Sequence, residues 1–516
     1  MADEDERRVW REYEDLLERS RLQFAQLREL PVYGRKLWER QYHDAFQLFA
    51  ALWSYLQGNR AALMEGGLKR WEIGDVASRI AQLYYNFYLR TSGFSYLIEA
   101  YQFYDATHSR KYFPQAFDPN EEHVLLKEMR FRVRHIVVCL LLQKRDEARE
   151  LLVVLAELVE LYAANLQAAD VREWQLVCEE VGRFIAADEP ANRPGTPQRV
   201  AAALSLRCTP ASPCASIPFT APFLRLQDAV LACYYLGQVK VAEMPLDTCR
   251  MMQALEWEDP AASGAVSPDA GAGEWRHEAG AAAAPESPAK CVLYRPSASH
   301  LLAVLATAAE ALPPGSALLV YLSASGDPAR AAWPREALGN DAADSGVSAS
   351  TQSHFGEDEG PPGLCLSPPS SSGQGESWLY PEDLLPFTRR PLLLVETVEG
   401  VLAGWGERLA AEDWGAGAAW GALFGDALSR RLILRFLLCR AVLALHTSFS
   451  RATELQPTCF PSLPEAASTK ADHIAEGVQR IASLLGAGRC FFGPGCVRSE
   501  SFSEREMWEA EPAGSA

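Results

Sequence analysis

The sequence predicts a mainly α-helical protein with a smaller α/β part. An N-terminal antiparallel α-helical stack, helical-repeat-like, precedes a small C-terminal α/β unit that carries a disordered insertion. Three observations predict this. Apolar residues recur every three to four positions through the first 187 residues, which lines them along one stripe of each helix. Beyond residue 290 the pattern changes to short apolar runs bounded by breakers, the mark of buried strands. Two stretches collapse to Ala, Gly, Pro and Ser, and bury too little apolar surface to offset their chain entropy.

Taken in order, Trp10, Tyr13, Leu17, Phe24 and Leu27 keep the helical spacing, miss it at Ser20 and stop before Pro31. Trp38, Tyr42, Ala45, Phe49, Leu52 and Leu56 repeat it as far as Gly58. Ile73, Ala77, Ile80, Tyr84 and Phe87 follow, then Phe94, Leu97, Tyr101 and Tyr104. Further helices fit 124–142, 146–164 and 171–187, and the short connections make consecutive helices antiparallel neighbours. No signature of roughly 34 residues marks true tetratricopeptide repeats. After a Pro/Ser/Thr stretch from Glu189 to Pro222, helices are expected at Leu224–Leu236 and Pro245–Glu256.

Residues 1–256 thus read as a helical stack domain, 257–290 as a flexible linker and 291–516 as the C-terminal domain. In that last part Ser297–Leu312 is helical, Pro313-Pro314-Gly315 turns, and Ala317–Ser323 is a buried parallel strand. The disordered insertion covers about 324–376. A second strand is expected at Pro391–Thr397, with closing helices at Trp420–Ser448 and Lys470–Leu485.

Charge narrows the function. The 516 residues hold 49 basic and 67 acidic groups, a net charge of -18. That sign disfavours a general nucleic-acid coat protein, whose affinity comes mostly from phosphate contacts. Apolar stretches such as Ile136–Leu142 are far shorter than the roughly 20 residues that span a bilayer. The acidic start, Met1 to Glu6, has no apolar core of a secretory signal. The twelve cysteines show no zinc spacing, and several lie in apolar helical runs, so reduced thiols are expected, with no disulfide framework and no metal.

Catalytic motifs are missing: no Gly-x-Ser-x-Gly, no His-Glu-x-x-His and no phosphate-binding Gly-x-x-x-x-Gly-Lys-Ser/Thr loop occurs. Tyr321-Leu322-Ser323-Ala324-Ser325-Gly326 has the spacing of an Asp-x-Ser-x-Ser metal motif, but Tyr321 stands where the carboxylate ligand belongs. A plain strand exit is the better reading. The glycine-containing tail Gly486–Gly493 carries no nucleotide-site pattern, and no cofactor is expected. Lys69-Arg70-Trp71, Tyr84–Arg90 and Arg130–His135 interleave basic and aromatic residues, as stacking platforms for nucleic acid do. The helical spacing favours the aromatics as inter-helix core and the cations as their solvated rim, a groove suited to an acidic peptide.

Several segments also resemble a known family. Gly67–Ile80 with its continuation Tyr88-Leu89-Arg90-Thr91-Ser92, Leu30-Pro31-Val32-Tyr33-Gly34, Ile136–Leu142, Gln238-Val239-Lys240 and Met252-Gln253-Ala254-Leu255-Glu256 resemble the SCAI family, the suppressors of cancer cell invasion. Leu318–Ala324, Pro386–Leu392, Leu434-Arg435-Phe436 and Phe491-Phe492 continue the match in order. After Thr397 the family's further strand and helix material gives way to Gly/Ala/Trp-rich sequence around Gly404–Gly421.

The resemblance implies a non-enzymatic regulator of DNA-templated transcription, a corepressor that binds a transcription coactivator or chromatin-associated protein. It implies residence in the nucleus, with the cytoplasm as a second compartment. Direct sequence-specific DNA binding and membrane insertion are not expected, and the chain has no cluster of four basic residues to act as an import signal. The alternatives are a nucleotide- or metal-binding regulator or enzyme using the α/β unit, or a chromatin/DNA-repair adaptor. Lys69, Arg70 and Arg90 bracket one amphipathic helix and are the candidate partner surface, expected to stay solvated while the aromatics between them pack.

Overall fold

The computed structural model describes residues 2–31, 35–113, 122–165, 169–187, 207–210, 212–234, 240–242, 244–258, 286–324, 391–412, 418–450, 456–460 and 463–494. The chain is mainly helical with one small parallel sheet. Residues 325–376 of the expected insertion and 259–285 of the expected linker lie outside the described residues.

Eight helices build the stack: α1 (Ala2–Glu29), α2 (Arg35–Gly58), α3 (Arg60–Glu65), α4 (Arg70–Thr91), α5 (Phe94–Ser109), α6 (Glu122–Leu141), α7 (Arg145–Asn165) and α8 (Val171–Ala187). The apolar stripes read in the sequence are buried or half-buried where helices meet; α1 packs on α2, α4 on α5, α6 on α7 and α7 on α8. Ser20, the break in the first stripe, is also buried; its hydroxyl donates to the Leu16 carbonyl at 2.7 Å, so the polar group costs little. The short α3 has no stripe of its own and escapes periodicity.

The sheet holds β1 (Arg225–Cys233), β2 (Ala289–Tyr294) and β3 (Ser316–Ser323), all parallel in the order β2-β1-β3. Helix α9 (Leu246–Ala254) lies between β1 and β2 in the chain, and α10 (Ala298–Ala311) between β2 and β3. The helix expected at Leu224–Leu236 is therefore corrected to the central strand. Its residues Ala229–Cys233 are all buried, because a central parallel strand is covered on both faces and shows no alternation. Ala229 and Leu231 pack on the helical stack; Val230 and Ala232 pack with Leu293 and with Val304 of α10. Strand β2 also starts inside the stretch read as linker, at Ala289 and Lys290.

A second correction concerns Pro391–Thr397, read as a strand. It is the first part of α11 (Pro391–Ala410). A short apolar run is ambiguous, and the longer window decides: Val395, Val398, Val401, Leu402, Trp405 and Leu409 keep helical spacing behind an initial proline. The helix expected at 420–448 is two helices, α12 (Ala418–Phe424) and α13 (Ala427–Leu445). They part at Gly425, where a Cβ would come within 2.2 Å of the Phe223 side chain, and Asp426 caps α13 by accepting from the Ser429 amide. With α14 (Asp472–Leu484), these helices enclose a separate core around Trp405, Phe424, Leu434 and Val478.

The sheet draws its central strand from before residue 256 and both partners from after it. A chain ended at 256 leaves both edges of an apolar strand unpaired. Such a fragment is expected to keep helical circular dichroism yet melt lower and bind a hydrophobic dye, whereas one ended at 323 restores the cooperative transition. Equal melting of the two fragments would show that the stack does not depend on the sheet.

Candidate functional site

Helix α4 organises the candidate surface. Its first turn is closed by Glu72, whose carboxylate accepts from the Lys69 amide at 2.8 Å. It stops at Ser92, which adopts φ +59. Lys69 and Arg70 are exposed at the start of α4, as expected. The Arg70 Nη2 donates to the Arg110 carbonyl at 2.8 Å, and the guanidinium lies 5.8 Å from the centre of the Tyr112 ring.

Arg90 does not stay solvated with them, contrary to expectation. It stands at the far end of the helix, about 30 Å from Lys69 at 1.5 Å rise per residue. Its Nη1 and Nη2 donate to the carbonyls of Pro31 and Leu30 at 2.8 and 3.3 Å, and the guanidinium covers the rings of Trp38 and Tyr42. Half-buried, it fastens the chain leaving α1 onto α4. Arg90→Glu should therefore cost about 1–3 kcal/mol, because the donors are lost and a carboxylate faces two carbonyls. Chemical denaturation would read this as a lower midpoint; the same reversal at Lys69 should leave the midpoint nearly unchanged.

The aromatics between these cations, Tyr84, Tyr85, Phe87 and Tyr88, are buried core, as the helical spacing required. Tyr88 leads to the most polar place in the interior. Its hydroxyl donates to the Glu256 carboxylate, which also accepts from Arg207 Nε at 2.8 Å and Lys290 Nζ at 3.1 Å. Lys290 Nζ donates further to the Ser92 hydroxyl at 2.7 Å; Ser92 donates to the Pro288 carbonyl, and Arg207 Nη2 to the Leu141 carbonyl. Gln253 donates to the carbonyls of Leu140 and Leu141.

The Arg207, Glu256 and Lys290 side chains are at most 3% exposed, so no substrate reaches them. Burial alone would raise the Glu256 carboxyl, but Lys290 and Arg207 outweigh it and hold it below the ordinary carboxylate range. Burial lowers the Lys290 ammonium despite Glu256. This cluster ties β2, the end of α9 and the segment at 207 to α4 and the end of α6. Sequence reasoning missed it, since the charged partners are 49 and 34 residues apart. Its one trace was the resemblance: Leu30-Pro31, Tyr88–Ser92, Ile136–Leu142 and Met252–Glu256 all supply atoms to this cluster or to the Arg90 clasp.

A second buried polar group lies between α5 and α6. His135, 2% exposed, sits among the rings of Tyr101, Tyr104, His108 and Phe131. Arg132 contacts the His108 ring and donates to Glu128 at 2.9 Å. Burial first, then the neighbouring His108, Arg132 and Lys144, push the His135 imidazole down to about 3, so it is neutral.

Of the strand-end loop, Ser323 closes β3, and its carbonyl accepts from the Tyr234 amide at 2.6 Å; Ser325 and Gly326 lie outside the described residues. Tyr321 packs against the stack. Among the described residues no cluster of three His, Cys, Asp or Glu side chains could hold a metal, no helix is long and apolar enough to cross a membrane, and ten cysteines are free thiols.

The family model described as Protein SCAI matches residues 15–400. Human Protein SCAI is 29% identical over 559 aligned residues, which cover 94% of this chain and 90% of that protein; the mouse Protein SCAI matches to the same extent. The Protein SCAI homolog of Dictyostelium discoideum is 35% identical over 274 residues, covering 48% of this chain and 35% of that protein. No solved structure matches.

Proposed function

This chain belongs to the SCAI family, and from that premise we propose that it is a non-enzymatic nuclear regulator, a transcriptional corepressor that acts by binding a transcription coactivator or chromatin-associated protein. The observation that carries the reading is the extent of the family match, which spans both the helical stack and the sheet. The sealed Glu256 cluster supports it, because the most enzyme-like group of side chains is a fastener without access from solvent. The reading is tested by tethering the full chain to a promoter through a heterologous DNA-binding domain. Reporter output should fall several-fold, and the untethered chain should be recovered in the nuclear fraction. Unchanged output from a stably expressed fusion would sink the reading.

A second reading rests on the topology. The order β2-β1-β3 sets the carboxyl ends of β1 and β3 side by side, the place where open parallel sheets hold ligands. A nucleotide- or metal-binding regulator would use that edge. A thermal-shift series with nucleotides and divalent metals separates the two, since a ligand of the native state alone raises the melting temperature.

A further inference from the structure

We infer that one end of the helical stack, where α4 begins and α5 ends, is a docking surface for an acidic, amphipathic peptide segment of a partner protein. The inference rests on the regulator reading above and names the chemistry of its partner. Five cations gather here. Arg60 and Arg70 each lie 5.8 Å from the centre of the Tyr112 ring. Arg70 is held to the Arg110 carbonyl, and Arg110 and Lys111 are exposed as the chain turns out of α5 at Lys111, φ +48. Lys69 is exposed beside them. Tyr112, the ring that gathers the arginines, is itself fixed: it rests on Gly74 of α4, where a Cβ would stand 2.6 Å from the Tyr112 Cβ.

Among the described residues the acidic side chains nearby do not cancel this charge. Glu72 is used by the Lys69 amide, and Asp75 accepts from both Arg79 and Lys127. Among the described residues Glu65, Glu72 and Glu122 are fewer than the five cations, so the described part of this surface is net positive on a chain of charge -18. Helix stability does not explain the arrangement, because Lys69 and Arg70 stand at the positive end of the α4 dipole.

Two further observations point to an amphipathic ligand. Met64 is 39% exposed, one helical turn from Arg60, and Trp71 is half-buried against Lys127 and His123. Among the described residues the Trp71 indole N–H and the buried Tyr112 hydroxyl have no hydrogen-bond partner. A peptide offers carboxylates to the cations and apolar side chains to Met64 and Trp71. A long nucleic acid is disfavoured, because the remainder of the chain repels a polyanion.

The test uses the full chain and three labelled probes: a peptide alternating Asp and Glu with Leu and Phe, its Asn/Gln counterpart, and a DNA duplex. The acidic peptide should bind best, with affinity falling as salt rises. The triple variant Lys69→Gln/Arg110→Gln/Lys111→Gln spares the two arginines on Tyr112. It should lose about tenfold in affinity at low salt and much of the salt dependence, with an unchanged melting temperature. Met64→Ser should weaken binding while keeping the salt slope, and Arg172→Gln/Arg183→Gln on α8 should change nothing. Equal binding of acidic and amide peptides, wild-type affinity in the triple variant, or DNA binding as tight as the peptide would each overturn the inference. If the tethered chain represses and the triple variant keeps its peptide affinity, this surface is wrong and the regulator reading stands. If peptide binding is lost as described but tethering has no effect, the regulator reading fails and the surface stands.

Discussion

Glu256→Ala is expected to destabilise the chain by about 3–5 kcal/mol, because it strands Arg207 and Lys290 without their carboxylate in a site closed to water. Glu256→Gln keeps the volume and part of the hydrogen bonding, so its cost should be smaller but still measurable. The informative third variant replaces the whole set, Arg207→Met/Glu256→Leu/Lys290→Met. A matched apolar cluster of similar volume often holds a fold as well as the ions do, so this variant should recover most of the loss. Denaturant melts of the three against wild type check the ordering. A triple variant no better than Glu256→Ala would mean that the hydrogen bonds to Ser92, Pro288 and Leu141, rather than charge balance, hold β2 in place.

The second large effect is on pH dependence. His135 falls from an ordinary 6.5 in the unfolded chain to about 3 when folded. Between those values the unfolded chain binds the extra proton, so stability declines as pH drops through this window, by up to about 1.4 kcal/mol per pH unit. His108, also lowered by burial and by Arg132, acts with the same sign. Glu128, raised by burial, acts with the opposite sign, since its folded form takes up a proton more readily. His135→Phe fits the surrounding aromatic rings and removes the titrating group. Unfolding free energies measured from about pH 7 to about pH 4 should show a shallower decline in the variant. Parallel curves would show that His135 is not held neutral.

How far the sequence could be read depended on how many faces of each element are covered. The stack helices bury one stripe and expose the other side, so Trp38 to Leu56 or Ile73 to Phe87 announced themselves. Strand β1 is covered on both sides, and the uninterrupted Ala229–Cys233 carries no period to distinguish a strand from a buried helix. At Pro391–Thr397 the error ran the other way, because the window was too short to include Trp405 and Leu409. The exposure of Lys69 and Arg70 was legible because both stand outside the apolar stripe of α4, although the hold of Arg110 and Tyr112 on Arg70 was not. Arg90 was not, since its acceptors are carbonyls 59 and 60 residues away, and backbone acceptors leave no signature in side-chain identity. The convergence of Arg60 and Arg110 on Lys69 and Arg70 was hidden for the same reason.

The strand order also fixes a timetable of assembly. β1 is the middle of the sheet but the first of its strands to be synthesised, and the residues up to Ala289 must follow before its neighbour exists. At about 5–20 residues per second, that leaves β1 waiting several seconds with both edges open. The helices of the stack, Tyr88 and Ser92 among their residues, have all been synthesised by then. Lys290 is the last of the buried ions to arrive, one residue into β2. Until it does, Glu256 has a single cation and the cluster stays open, so its closure reports that the middle strand has been claimed from within the chain rather than by a stranger's edge.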